Sequence, residues 1–121
     1  MKGAWSLPGG ALKLSECIQE GVVREVLEET GVEVRALELI EALDRISHDP
    51  SGRVLYHYVL LDWLCTPRLS WSGESSTEPV ASSDAEVATW ADLNGLEPFQ
   101  MEAVTLRVIR TAECRARELG L

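Results

Sequence analysis

The chain has 121 residues, enough for one domain with its own core, and 45% of them are apolar, four Trp included. Twenty acidic side chains against eleven basic ones leave a formal net charge of -9, which argues against bare nucleic acid or an anionic membrane as partner. Cys17, Cys65 and Cys114 form no C-x-x-C pair, which argues against a zinc cage or a disulfide framework and for free, buried or half-buried thiols in a reducing cytoplasm.

In chain order, Trp5-Ser6-Leu7 reads as a short extended piece stopped by Pro8-Gly9-Gly10. There the backbone can turn tightly and approach a ligand. The opening MKGAWSLPGG lacks the apolar stretch of a signal peptide, and no apolar run reaches the length of a membrane span, so a cytoplasmic location is expected. A helix is expected from about Glu16 to Thr30, with Ser15 as its N-cap and Gly31 as the left-handed residue at its end. At 100° per residue, Val22, Val23, Val26 and Leu27 share one arc of that helix. Glu25, Glu28 and Glu29 fall within about 100° of one another on a different arc.

Val34 to Ile46 and Val54 to Cys65 read as two strands around the turn His48-Asp49-Pro50-Ser51-Gly52. The second, VLYHYVLLDWLC, is apolar at odd and even positions, so both of its faces are expected to be covered. Pro67 to Ser83 is rich in Ser, Gly and Pro and reads as a long loop. A short strand is expected at Glu86 to Ala91, a turn or short helix from Leu93, and an amphipathic helix from Met101 to Leu119. Its apolar side carries Val104, Val108, Ala112 and Leu119. No internal repeat or second domain is evident, and residues 1–121 read as a single domain.

The chemistry concentrates between Gly10 and Val32. Three glutamates at i, i+3 and i+4 repel one another unless something neutralises them. Read alone, such a cluster is more often a solvated acidic helix face than a cation site. Its surroundings favour the latter. Arg24 is adjacent and can orient a carboxylate in a bidentate contact, and the Gly9-Gly10 turn offers backbone oxygens just before the helix. Oxygen ligands of this kind suit magnesium or manganese, which bridge to substrate phosphates.

The spacing G-x5-E-x7-R-E-U-x-E-E-x-G-U, with U a bulky aliphatic residue, resembles the Nudix box of the Nudix hydrolases, the MutT-like family. Gly10 to Val32 matches each fixed position, with Val26 and Val32 in the aliphatic places and W-S-L-P-G-G ahead of them. The resemblance implies an α/β/α sandwich with a mixed sheet and a magnesium-dependent (or manganese-dependent) hydrolase of nucleoside diphosphates linked to another moiety. By that resemblance Glu25, Glu28 and Glu29, with the Gly9 carbonyl, would bind the metal, while Arg24 and Glu16 would hold loop and helix in place. The segment from His57 to Trp90, HYVLLDWLC followed by a loop and SSDAEVATW, resembles the ADP-ribose pyrophosphatase-like branch. There an acidic residue about six positions before such a tryptophan assists as base or extra metal ligand, which implicates Asp84, with Glu86 and Glu78 as alternatives.

The candidates are therefore Glu25, Arg24, Glu28 and Asp84 for catalysis, Gly9, Glu25, Glu28 and Glu29 for metal, and Gly10, Glu16 and His57 for substrate. A strand histidine such as His57 also packs or makes a single hydrogen bond in many sheets, and Asp84 can equally cap a turn. Trp63, Trp71 and Trp90 can stack on a base, although core packing suits Trp63 and Trp90 as well. Gly21 lies on the arc of Glu28, where it either leaves room for ligand or reflects drift. Pro50 lies in the region where a proline accompanies ADP-ribose hydrolysis, and a hairpin explains it equally.

Two departures from the family pattern stand out. Ser15 replaces the glycine common before the first Glu. Only Met1 to Ala4 precede Trp5, where the family carries strands, so the expectation is either a truncated or mis-started form or a sheet completed by a second copy, as a homodimer or by strand exchange. The substrate expected first is ADP-ribose or a nucleotide sugar. The alternatives are a nucleoside triphosphate, oxidised ones included, or a catalytically weak binding or regulatory module.

Overall fold

The computed structural model describes residues 4–68 and 87–121. Its elements in chain order are helix α1 (Ile18–Thr30), strands β1 (Val34–His48) and β2 (Val54–Pro67), a one-turn 3-10 helix (Glu97–Phe99) and helix α2 (Ala103–Glu118). Helices against a sheet make this an α/β chain. Among the described residues the sheet is the antiparallel pair β1–β2, so a parallel partner of the kind a mixed sheet needs does not occur there. No helix among them is long and apolar enough to cross a membrane.

The hairpin turn follows from one side chain. Asp49 Oδ1 accepts from the Ser51 and Arg53 amides at 2.9 Å each and from the Ser51 hydroxyl at 2.7 Å. Gly52 takes φ 90°, a left-handed conformation that glycine adopts without steric cost. These bonds hold the Asp49 carboxyl below the usual carboxylate range, the Ser51 hydroxyl contributing most. The pairing then runs from His48 opposite Val54 to Val34 opposite Pro67, with irregularities between Ala36 and Glu38, Leu39 and Glu41, and Ser47 and His48.

The two helices pack on the part of the hairpin away from its turn. Gln19 of α1 donates to the Ala36 carbonyl at 3.2 Å. On α2, Arg115 grips Glu38 through two bonds of 2.6 and 2.8 Å, and Arg107 meets Glu41 at 2.6 Å. Arg45 of β1 reaches Glu102, ahead of α2, at 2.8 Å. The most buried apolar side chains among the described residues are Val32, Val34, Leu96 and Val108. Helical spacing places Val104, Val108 and Ala112 on the inward side of α2, as their period of four requires.

Several sequence expectations are corrected. Helix α1 begins at Ile18, not Glu16, and its N-cap is Cys17, without a side-chain cap bond. Ser15 instead occupies the third position of a turn closed by the Glu16 amide on the Lys13 carbonyl, with φ 66°. Gly31 is left-handed at φ 74° and bonds back to Leu27, as expected. In β2, Val54 to Leu60 are all exposed and only Leu61 to Thr66 are half-buried, because the helices do not reach the turn end. Val87 to Ala91 form no strand. Leu119 lies past the end of α2 and is exposed. Cys17 and Cys114 are exposed rather than buried, and Cys65 is half-buried, its thiol pushed up by burial. The loop expected at Pro67 to Ser83 lies outside the described residues beyond Arg68.

Candidate active site

The site is assembled from the loop Gly9 to Cys17 and the face of α1 that follows it. Arg24 is its organising group. The guanidinium Nε and Nη2 donate to the two oxygens of Glu16 at 2.6 and 2.9 Å, a bidentate contact. Nη1 donates to Glu25 at 2.8 Å and to Glu28 at 3.1 Å, and Nη2 also donates to the Ala11 carbonyl at 3.0 Å. All five N–H donors of the guanidinium are thereby used. The cation is stabilised, chiefly by Glu16 and then Glu25, so its pKa rises.

Glu16 is the loop's counterpart. Besides Arg24 it accepts from the Lys13 amide at 3.0 Å. The guanidinium first and this amide second hold its carboxyl down to about 2. A permanent carboxylate on the loop, locked to a permanent cation on the helix, fixes where the loop crosses α1. A second tie sits at the other end, where the Gly9 amide donates to Glu29 at 2.9 Å.

Gly10 and Gly21 are glycines for separate steric reasons. A Cβ on Gly10 would lie 2.5 Å from the carboxyl carbon and both oxygens of Glu25, so the loop backbone rests directly on that carboxylate. Gly21 is buried, and a Cβ there would run into the Leu12 side chain and stand 3.1 Å from Glu16. The space at Gly21 is therefore used by the loop, and it is not open to a ligand.

The structure brings Gly9, Gly10, Glu16, Arg24, Glu25, Glu28 and Glu29 together. Three carboxylates around one guanidinium, with Glu29 beside them, leave the site anionic, and Glu16, Glu25 and Arg24 keep under one fifth of their side-chain surface exposed. Glu28 is the most open of those around Arg24, at 41%. Among the described residues no three carboxylate, imidazole or thiol groups converge on one point: Glu25 and Glu28 lean on Arg24, and Glu29 on Gly9. In chemical type the set fits a hard cation, since Glu25, Glu28 and Glu29 offer oxygen ligands from little more than one helical turn.

His57 lies elsewhere. It is paired with Ile46, about 30 Å along β1 from the Ala36 end where α1 packs, and its Nε2 meets Asp44 at 2.7 Å on an exposed face. Asp84, the alternatives Glu78 and Glu86, and Trp71 lie outside the described residues. Trp63 is half-buried, whereas Trp90 is 55% exposed and is not a core residue.

One feature beside the box has no signature in local sequence. Trp5 packs edge-on against Phe99, ring centroids 5.0 Å apart and planes at 88°. Around this pair opens a cleft of about 250 Å³, lined on one side by residues 5–8 and on the other by Leu93, Leu96, Phe99 and Met101. Its two walls are some ninety residues apart in the chain, and no spacing rule links them.

Comparison with known proteins agrees with this geometry. Residues 1–112 match the NUDIX domain family. The chain is 35% identical to the ADP-ribose pyrophosphatase of Methanocaldococcus jannaschii over 95 residues, which are 78% of this chain and 50% of that protein. It is 34% identical to an 8-oxo-dGTP diphosphatase of Proteus vulgaris over 65 residues, 52% of this chain and 55% of that one. A MutT-like protein of Streptomyces ambofaciens is 57% identical over 37 residues, 31% of this chain and 24% of its own length. The chain thus spans about half the length of the first two relatives and a quarter of the third. It belongs to the Nudix family.

Proposed function

Within that family, we propose that the chain is a magnesium-dependent pyrophosphohydrolase of nucleoside diphosphates linked to another moiety, with ADP-ribose or a nucleotide sugar as substrate. The observation that carries this reading is the single loop–helix unit in which Arg24 gathers Glu16, Glu25 and Glu28 while Gly9 meets Glu29. The 78% coverage by similarity to an ADP-ribose pyrophosphatase supports the choice of substrate.

Glu25, Glu28 and Glu29 would hold the divalent cation, with the Gly9 carbonyl as a further ligand. When bound, the cation supplies positive charge against the pyrophosphate and Lewis acidity at its oxygens. The chain's own part is positional. Arg24 sets the angles of Glu25 and Glu28, and Glu16 sets Arg24. The Gly10 backbone keeps Glu25 from swinging toward the loop. Asp84 is the proposed general base. We also propose that a second copy covers the exposed run Val54 to Leu60 of β2, which among the described residues pairs with β1 alone.

Incubation with a nucleotide panel and magnesium tests the reaction. Release of AMP and ribose 5-phosphate from ADP-ribose is the expected result. Pyrophosphate released from triphosphates, oxidised ones included, would instead favour the reaction named for the Proteus relative. A folded sample that turns over none of them would refute the enzyme reading and leave a binding module.

A further inference from the structure

Among the described residues, three ion pairs tie α2 and the residue before it to β1, in opposite chain order on the two elements. Glu38, Glu41 and Arg45 meet Arg115, Arg107 and Glu102 at 2.6, 2.6 and 2.8 Å. We infer that this ladder fixes the register of α2 on the sheet, and thereby positions the segment Trp5 to Pro8 that delivers Gly9 to Glu29. Arg107 and Arg115 are then positioning residues for a site that their own hydrogen bonds do not reach. The consequence for turnover rests on the hydrolase reading above; the register does not.

The apolar face of α2 sets that register only weakly. Val104, Val108, Ala112 and Ala116 recur every four residues, close to one helical turn, and Val108 is the one buried residue of the helix. A slide of one turn, about 5.4 Å, puts Val108 in the place of Val104, Ala112 in that of Val108 and Ala116 in that of Ala112. Each place is filled again by a small aliphatic side chain, so burial discriminates little between the two positions. One-turn steps of this kind are discrete alternatives for packed elements.

The charges do discriminate. The same slide brings Glu118 opposite Glu38, Thr111 opposite Glu41 and Leu106 opposite Arg45. All three pairs are lost and one becomes a like-charge contact. The reverse slide leaves Thr111 at Glu38, Ala103 at Glu41 and no residue of α2 at Arg45. Glu41 adds its own preference, because it stands opposite Asp62 across the strand pair, where two carboxylates repel and Arg107 offsets them. Arg115 holds Glu38 by both oxygens and keeps its carboxyl below the usual range. Pairs as exposed as these add little to stability. Setting register is the use for which such polar contacts are best attested.

Register matters because α2 also borders the segment ahead of the box. Ile109 lines the cleft together with residues 5–8, and Phe99, just ahead of α2, packs edge-on against Trp5. Pro8 is followed by Gly9, whose amide donates to Glu29 at 2.9 Å. A sliding helix carries Ile109 and the Phe99 turn with it, and Trp5 follows. A displacement far smaller than one turn takes the Gly9 amide out of hydrogen-bonding range of Glu29.

The test exchanges the charges of one rung in the metal-free protein. Arg107→Glu alone is expected to shift the Trp5 indole N–H and Gly9 amide signals in two-dimensional NMR, with helix content unchanged by circular dichroism. Combining it with Glu41→Arg restores the pair with its signs exchanged, and is expected to recover most of both displacements. Unmoved signals in the single variant, or a double variant displaced as far as the single one, would overturn the inference. If Arg107→Glu does not fold, salt decides on the wild type. Raising NaCl from about 0.1 M to about 1 M shortens the screening length from about 10 Å to about 3 Å. Amide exchange in α2 is expected to speed up on the order of fivefold relative to α1, whose pairs at Arg24 are less exposed; an equal effect on both helices would overturn the inference. Neither readout needs metal or nucleotide, so shift and recovery uphold the ladder even if no nucleotide is turned over. Turnover with the signals unmoved refutes the ladder and leaves the hydrolase.

Discussion

Replacing Gly10 by alanine adds a single methyl group at the point where the loop rests on Glu25. The new Cβ would stand 2.5 Å from the carboxylate, whereas ordinary contact begins near 3.4 Å, so the carboxylate must retreat about 0.9 Å. Its 2.8 Å bond to Arg24 then stretches beyond hydrogen-bonding range. Misplacement of a catalytic group by about 1 Å can cost on the order of 100-fold in rate, equivalent to about 2.7 kcal/mol of barrier. Gly10 is not among the residues with positive φ, so alanine meets no backbone penalty and the fold is expected to persist. Steady-state kinetics on ADP-ribose with magnesium, beside urea denaturation of the same sample, measures both parts. A kcat within threefold of wild type would refute the claim that the Gly10 backbone positions Glu25.

Three further substitutions probe the loop. Ser15 holds φ 66°, a conformation that costs a non-glycine residue roughly 1–2 kcal/mol. Ser15→Gly is expected to raise stability by about 0.5–1 kcal/mol after the added chain entropy of the unfolded state, and a loss in a urea titration would contradict it. Gly21→Ala ordinarily gains about 1 kcal/mol inside a helix; here Leu12 and Glu16 occupy the space, so no gain is expected, and a full gain would show that the loop does not pack there. Glu16 has its pKa lowered from 4.5 to about 2. Its contribution to stability is therefore complete above about 4.5 and is lost as pH falls through about 2. Glu16→Gln should flatten the fall in urea midpoint across that window, and an unchanged acid profile would be the contrary result.

The site was more legible than the sheet. Box residues interact over short separations in sequence, so helical geometry alone places Glu25, Glu28 and Glu29 on one arc and puts the left-handed Gly31 at its end. The Asp49 to Gly52 turn was readable for the same reason. What misled was competition for local groups. Ser15 is a good N-cap by residue type, yet Glu16 is taken by Arg24 and Lys13, which ends the turn there and delays the helix to Ile18. Apolar residues at alternate and intervening positions of β2 implied two covered faces, but alternation says only what could be buried. The helices are held at Glu38, Glu41 and Arg45, and Val54 to Leu60 stay open. The Trp5–Phe99 cleft arises from residues far apart in the chain, which no periodicity can join.

Glu29 is proposed to act as a cation ligand as well as the partner of Gly9. Glu29→Gln, which keeps the side chain's shape and removes its charge, is the most direct test. Turnover of ADP-ribose with magnesium is measured for wild type and variant, with far-ultraviolet circular dichroism to confirm equal helix content. A loss of at least 100-fold in kcat with the fold intact is expected. Near-normal turnover by the variant would contradict the metal assignment.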